Sequence, residues 1–242
     1  MPQHIGIVAC SAEGASLCYK TICVEGAQVL GVAYAHPEVS MHTPSFADYT
    51  DCLYRADWTG VGELMLASAR KLASIGADFL ICPDNTIHRA LPAVLPRSPV
   101  PWLHIAEVVA EHAASLGFHR IGITGTRWLV DSDVYPHALA ARGLASVRPD
   151  VEERGVVDRI VMEELVRSKF EASSIAYLQR VVEGLKKKGC DAVVLGCTEL
   201  PLVLSDENSP LPTLDSTRLL ARAALRRAVN LRSRSLHGLA QE

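Results

Sequence analysis

The feature that most constrains this chain is its regular exchange of short apolar runs for longer amphipathic stretches. Runs at residues 4–9, 29–34, 79–82, 102–104, 120–124 and 192–195 have strand length and are nearly continuous in apolar side chains. Strands covered on both faces of a parallel sheet read this way. Residues 13–23, 58–75, 106–116, 133–144, 170–188 and 215–228 carry helical patterns between them. In the second of these, Val61, Met65, Ala69, Leu72 and Ile75 recur at three or four residues and line one face. Asp57 is its expected N-cap and Gly76 its stop. Strands alternating with helices of this length predict an α/β fold with parallel sheets.

The chain also echoes itself. Gly76-Ala77-Asp78-Phe79-Leu80-Ile81-Cys82-Pro83-Asp84-Asn85-Thr86 parallels Gly189-Cys190-Asp191-Ala192-Val193-Val194-Leu195-Gly196-Cys197-Thr198-Glu199. Each reads as a helix end, a glycine turn, an aspartate, a buried strand and a polar element carrying threonine. The register sets Asp84 against Cys197, each just past the carboxyl end of a strand, where open α/β sheets bind ligands. The prolines at 92, 96, 99 and 101 suit a crossing between lobes. The expected division is an N-terminal lobe of 1–98 plus 208–230, a C-terminal lobe of 99–207, and a frayed tail at 231–242.

Charge and cysteine content narrow the function classes. With 24 Lys+Arg against 27 Asp+Glu, the net charge of −3 gives no bulk attraction to nucleic acid or anionic lipid. No apolar run nears the ~20 residues that span a bilayer, and the start lacks a secretory signal's basic segment, so a cytoplasmic protein is expected. The seven cysteines form no CxxC pair and show no metal-ligand spacing with histidine, so no metal is expected. Most read as buried small hydrophobes.

Two segments stand apart. Cys197 follows a strand and a glycine at an expected helix start, where unpaired N–H groups and the helix dipole would lower its pKa; the plainer alternative is a capping threonine beside a buried cysteine. Asp84-Asn85-Thr86-Ile87-His88 offers cap residues and donors suited to an anion, or an ordinary N-cap. His88 reads as orienting this loop or as packing. His42 and His104 lie near strand ends, Glu13 and Gly14 enter the first turn, Met41 and Phe46 shape a pocket or cover the core, and Lys186–Lys188 form a solvated helix end.

Asp84-Asn85-Thr86-Ile87-His88 and Gly196-Cys197-Thr198-Glu199, about 110 residues apart, resemble the paired motifs of the cofactor-independent aspartate/glutamate racemase family. The resemblance covers most of the chain, including the opening strand and turn at 5–15 and the strand end at 122–126. It implies two Rossmann-like lobes with parallel sheets and a cleft between them, a homodimer, and no cofactor. It further implies an amino-acid or other small-carboxylate substrate held between two thiols that work as base and acid on its Cα. By motif, Asn85, Thr86 and Thr198 would hold the substrate carboxylate, with Ser11 and Thr126 joining them.

The chain departs from that pattern at its first thiol, where Asp84 stands. Cys197 is then the one matched cysteine, and Cys82 is expected to point into the core. The loop 41–46 lacks the arginine of aspartate-type members. Val166 falls where they carry lysine, with Arg167 and Lys169 nearby. An aspartate ordinarily has a pKa of ~3.9 against ~8.5 for a thiol, but burial and a neighbouring anion would raise it. The resulting expectation is a racemase or epimerase with Asp84 and Cys197 as its acid–base pair. A single-thiol decarboxylase or lyase of a small acid, and a catalytically weak binding protein, are the alternatives.

Overall fold

A computed structural model describes residues 2–238. In chain order the elements are β1 (Ile5–Val8), α1 (Ala12–Leu30), β2 (Val39–His42), α2 (Phe46–Tyr54), α3 (Trp58–Ser74) and β3 (Phe79–Ile81). Then come α4 (Leu91–Val94), β4 (Trp102–Leu103), α5 (Ile105–Ser115), β5 (Arg120–Thr124), α6 (Arg127–Val130), α7 (Val134–Ala140) and β6 (Ala145–Val147). The chain ends with α8 (Val151–Arg159), α9 (Ala172–Lys187), β7 (Ala192–Leu195), β8 (Thr213–Asp215) and α10 (Ser216–Gly238). They form two parallel four-stranded sheets, ordered β2-β1-β3-β4 and β6-β5-β7-β8. The α/β expectation holds, and the two sheets repeat one topology.

The four inner strands, β1, β3, β5 and β7, are the ones whose apolar runs are continuous. Pairing on both sides demands burial on both faces. Edge strands carry a weaker signal. β2 reads Val-Ser-Met-His and is mostly half-buried, β6 reads Ala-Ser-Val and is mostly exposed, and neither β6 nor β8 is legible as an apolar run. The strand expected at 29–34 is absent. α1 continues to Leu30 and stops at Gly31, whose φ of 68° turns the chain out of the helix. Val32 and Tyr34 beyond it are exposed, so that apolar run buries nothing.

By packing, one unit comprises Met1–Pro83, Ala90–His104 and Leu220 onward; the other comprises Asp84–Arg89 and Ile105–Leu219. The sequence reading placed the crossings at 98/99 and 207/208. Strand pairing moves them: β4 bonds to β3 in the first sheet, and β8 bonds to β7 in the second. α10 begins in the second unit and supplies the first with Leu220, Ala221, Ala224, Leu225 and Ala228, all fully buried. It continues to Gly238 through part of the expected tail, whose residues 239–242 lie outside the described residues.

In the first unit, Val61, Met65, Ala69 and Leu72 of α3 are buried; Ile75 is at the helix end and exposed. Asp57 caps this helix by accepting the Gly60 N–H at 2.8 Å. In the second unit, alternate strand side chains divide between two cores. Ile121, Ile123, Ala192 and Val194 pack with α5 and α7, whereas Val193 and Leu195 pack with α8 and α9. Among the described residues no helix is long and apolar enough to cross a membrane.

Candidate active site

In the second sheet β5 has β6 on one side and β7 on the other. The connections therefore leave in opposite directions between β5 and β7, the switch point where α/β sheets place ligands. Two residues singled out from sequence follow these strands, Thr126 after β5 and Cys197 after β7. Gly196 makes the approach possible. Its N–H donates to the Thr124 carbonyl at 3.0 Å. A Cβ on it would stand 2.4 Å from that same oxygen and 2.5 Å from Leu129 Cδ2, so only glycine brings Cys197 this close to β5.

Cys197 is half-buried, and its Sγ donates to Glu199 Oε2 at 2.8 Å. The Thr198 hydroxyl donates to the same oxygen at 2.9 Å. Burial, the Glu199 charge and hydrogen bond, and the Asp84 charge push the thiol well above its ordinary value; only the Glu199 backbone N–H works the other way. The lowered pKa expected from a helix start is therefore reversed. The polypeptide after Cys197 forms a three-residue 3-10 turn, Leu200–Leu202, in place of a helix, so there is no macrodipole to oppose two carboxylates. At neutral pH Cys197 is a thiol.

Asp84–Arg89 packs with the second unit through a set of directed bonds. Asp84 Oδ1 accepts the Ile87 N–H at 3.2 Å, capping the 3-10 helix Thr86–Ala90. The Asp84 carbonyl accepts from His88 Nδ1 at 2.6 Å, and the other ring nitrogen accepts the Ile105 N–H. These bonds fix the Nδ1–H tautomer of a histidine that is 1% exposed. His88 thus orients the loop, one of its two expected roles. Asn85 Nδ2 donates to Ser216 Oγ at 2.9 Å, and Asn85 Oδ1 accepts from Tyr135 at 2.6 Å. Thr86 Oγ1 and Thr126 Oγ1 lie 3.1 Å apart. Two hydroxyls sharing one bond spend one proton on each other and retain a second to donate.

The second unit therefore gathers Asp84, Asn85, Thr86, Thr126, Cys197 and Thr198. Thr198 sends its hydroxyl proton to Glu199, so its hydroxyl is not an open donor. Ser11 lies in the first unit, where it caps α1 by accepting the Gly14 N–H at 3.3 Å. Cys82 is fully buried. Arg167 and Lys169 are exposed, and Val166 packs against the α8–α9 core. Glu199, Tyr135 and Ser216 were not singled out from sequence. Glu199 was visible in its motif as an acid two residues past a cysteine, whereas the other two become visible only through their partners. Among the described residues no three His, Cys, Asp or Glu side chains gather as a metal would require.

The family model for Asp/Glu/Hydantoin racemases matches residues 9–224. The chain belongs to this family. It is 24% identical over 198 residues to the broad specificity amino-acid racemase RacX of Bacillus subtilis (strain 168), covering 80% of this chain and 82% of that one. Its fold is similar to that of an aspartate racemase homologue from Pyrococcus horikoshii OT3, with a TM-score of 0.79 and 26% identity. That likeness covers 94% of this chain and 99% of the other. An Asp/Glu racemase candidate from Yersinia pestis is similar over the same shares, at a TM-score of 0.86 and 26% identity.

Proposed function

We propose that this member of the racemase family inverts an amino acid at Cα without a cofactor, with Asp84 and Cys197 as its acid–base pair. The pair is supported by the packing of Asp84 and Cys197 into one unit, where the Asp84 charge adds to burial and Glu199 in disfavouring the thiolate. That influence brings a carboxylate and a protonated sulfur into one electrostatic environment. In the resting protein Cys197 is a thiol whose hydrogen is directed at Glu199. Asp84 then removes the Cα proton, the electron pair is held in the carbanion, and Cys197 delivers its own proton to the opposite face. The products are a protonated Asp84 and a Cys197 thiolate, and exchange with solvent restores the start.

Glu199 sets the direction that is favoured. Its charge disfavours a thiolate at Cys197, so Cys197 is the stronger candidate for acid than for base in the first half-reaction. The two directions then differ in kcat, with KM differing in proportion, because enantiomers are equal in free energy. Asn85, the Thr86–Thr126 hydroxyl pair and the Thr198 amide form the carboxylate site. The substrate is an amino acid, and a homodimer is the expected assembly, which sedimentation equilibrium checks.

The test is Cα exchange of single-enantiomer amino acids in deuterium oxide, followed by mass spectrometry. Inversion accompanied by exchange, the inversion read by chiral chromatography, is expected in the unsubstituted protein and reduced at least ~100-fold by Asp84→Asn and by Cys197→Ser. Asp84→Cys, which restores a second thiol, is expected to retain it. Undiminished inversion in Cys197→Ser, or CO₂ release from substituted malonates without exchange of any amino acid, overturns the proposal.

A further inference from the structure

One buried chain of hydrogen bonds in the second unit has a fixed direction throughout, and it can be followed from its carbonyl end. Ser216 Oγ donates its single proton to the Leu195 carbonyl at 2.9 Å. Toward Asn85 it can therefore only accept, so the Asn85 atom 2.9 Å away must be the amide nitrogen. The Asn85 carbonyl oxygen then faces Tyr135, whose hydroxyl must donate across the 2.6 Å separation. Asn85 and Tyr135 are 2% and 1% exposed, and Ser216 is equally buried. No water competes for these groups, and each loses its full bond if a partner is removed.

From this we infer that Tyr135 is a positioning residue of the reaction proposed above: it locks the Asn85 amide so that a remaining N–H is held toward the substrate carboxylate. The inference rests on the reading of Asn85 as a carboxylate ligand. The chain also joins that ligand to the acid, because Leu195 is two residues before Cys197 and ends the strand that delivers it. Donor and thiol are thereby set in one register. Burial drives the Tyr135 phenol above its ordinary value, so it remains a donor over the whole working pH range. With the phenol hydroxyl absent, Ser216 alone still directs the amide, and the buried Asn85 carbonyl oxygen loses its donor, so the amide is held at one end only.

A carboxylate is present in substrate and transition state alike, so loss of its oriented donor weakens both equally and appears in KM. Tyr135→Phe keeps the ring and removes the donor. It is expected to raise KM for Cα exchange roughly ten-fold while kcat stays within about three-fold. In an Asn85→Ala background the same substitution is expected to cost nothing further, because the residue acts through Asn85. Ser216→Ala, which frees the other end of the amide, is expected to raise KM in the same way and covers the case in which Tyr135→Phe does not fold. Unchanged KM in a folded Tyr135→Phe or Ser216→Ala protein, or losses that add in the double variant, overturn the inference alone. No exchange in the unsubstituted protein overturns the proposed function and this inference with it.

Discussion

At Cys197 the balance of forces runs against a thiolate. A sulfur after a strand and a glycine suggests helix donors, yet the residue two positions on is a carboxylate that takes the thiol proton as a hydrogen bond. This gives a stability consequence with a definite sign. An unfolded thiol ionises near pH ~8.5, and the folded one only above that. Between the two values the unfolded state holds fewer protons, so this group's contribution is complete below ~8.5 and is lost as pH rises. The melting temperature of the unsubstituted protein minus that of Cys197→Ser is expected to be flat near neutrality and to fall above pH ~8.5. A difference that stays level to pH ~10 would show that burial, Glu199 and Asp84 do not hold the proton on sulfur.

Among the elements, α3 shows how far local rules reach. Asp57 was placed as its cap from sequence, and its carboxylate takes the Gly60 N–H, one of the orphan donors of the first turn. Asp57→Ala is expected to cost about 1 kcal/mol, readable as a shift in the urea midpoint with unchanged m-value. Cap and apolar face suffice here because both lie within one helix. β2 shows the limit. Its four residues include Ser40 and His42, and it is a strand because β1 offers a free edge, with Ile5 against Val39 and Val8 against His42. The run at 29–34 has the better strand composition and no edge to bind.

For the whole molecule, the decisive fact is that the first unit is discontinuous in sequence. α10 returns to it at Leu220 and is tied in by several bonds. The Gln3 N–H donates to the Ala228 carbonyl, Arg222 forms a two-pronged pair with Glu25, and Arg227 lies over the Phe79 ring. Truncation after Leu219 removes five fully buried apolar side chains from that core at once. It is expected to abolish hydrogen-exchange protection in β1 and β3, while β5 and β7, with cores of their own, retain theirs. Milder damage, Leu225→Ala, is expected to cost about 2–5 kcal/mol.

What the amino-acid order determined by itself was the α/β class, the inner strands, most helices and the two motifs that carry the family. Each of these is written in burial periodicity or in contiguous residues. Tertiary structure decided the rest. Edge strands depend on an available neighbour, and the unit boundaries follow strand pairing. The protonation of Cys197 follows from its burial, from Glu199 and from Asp84, the last of which is more than a hundred positions away along the chain. The roles of Tyr135 and Ser216 likewise depend on partners that only folding brings within bonding distance, because charge and hydrogen bonding act through space while sequence pattern records only neighbours along the polymer.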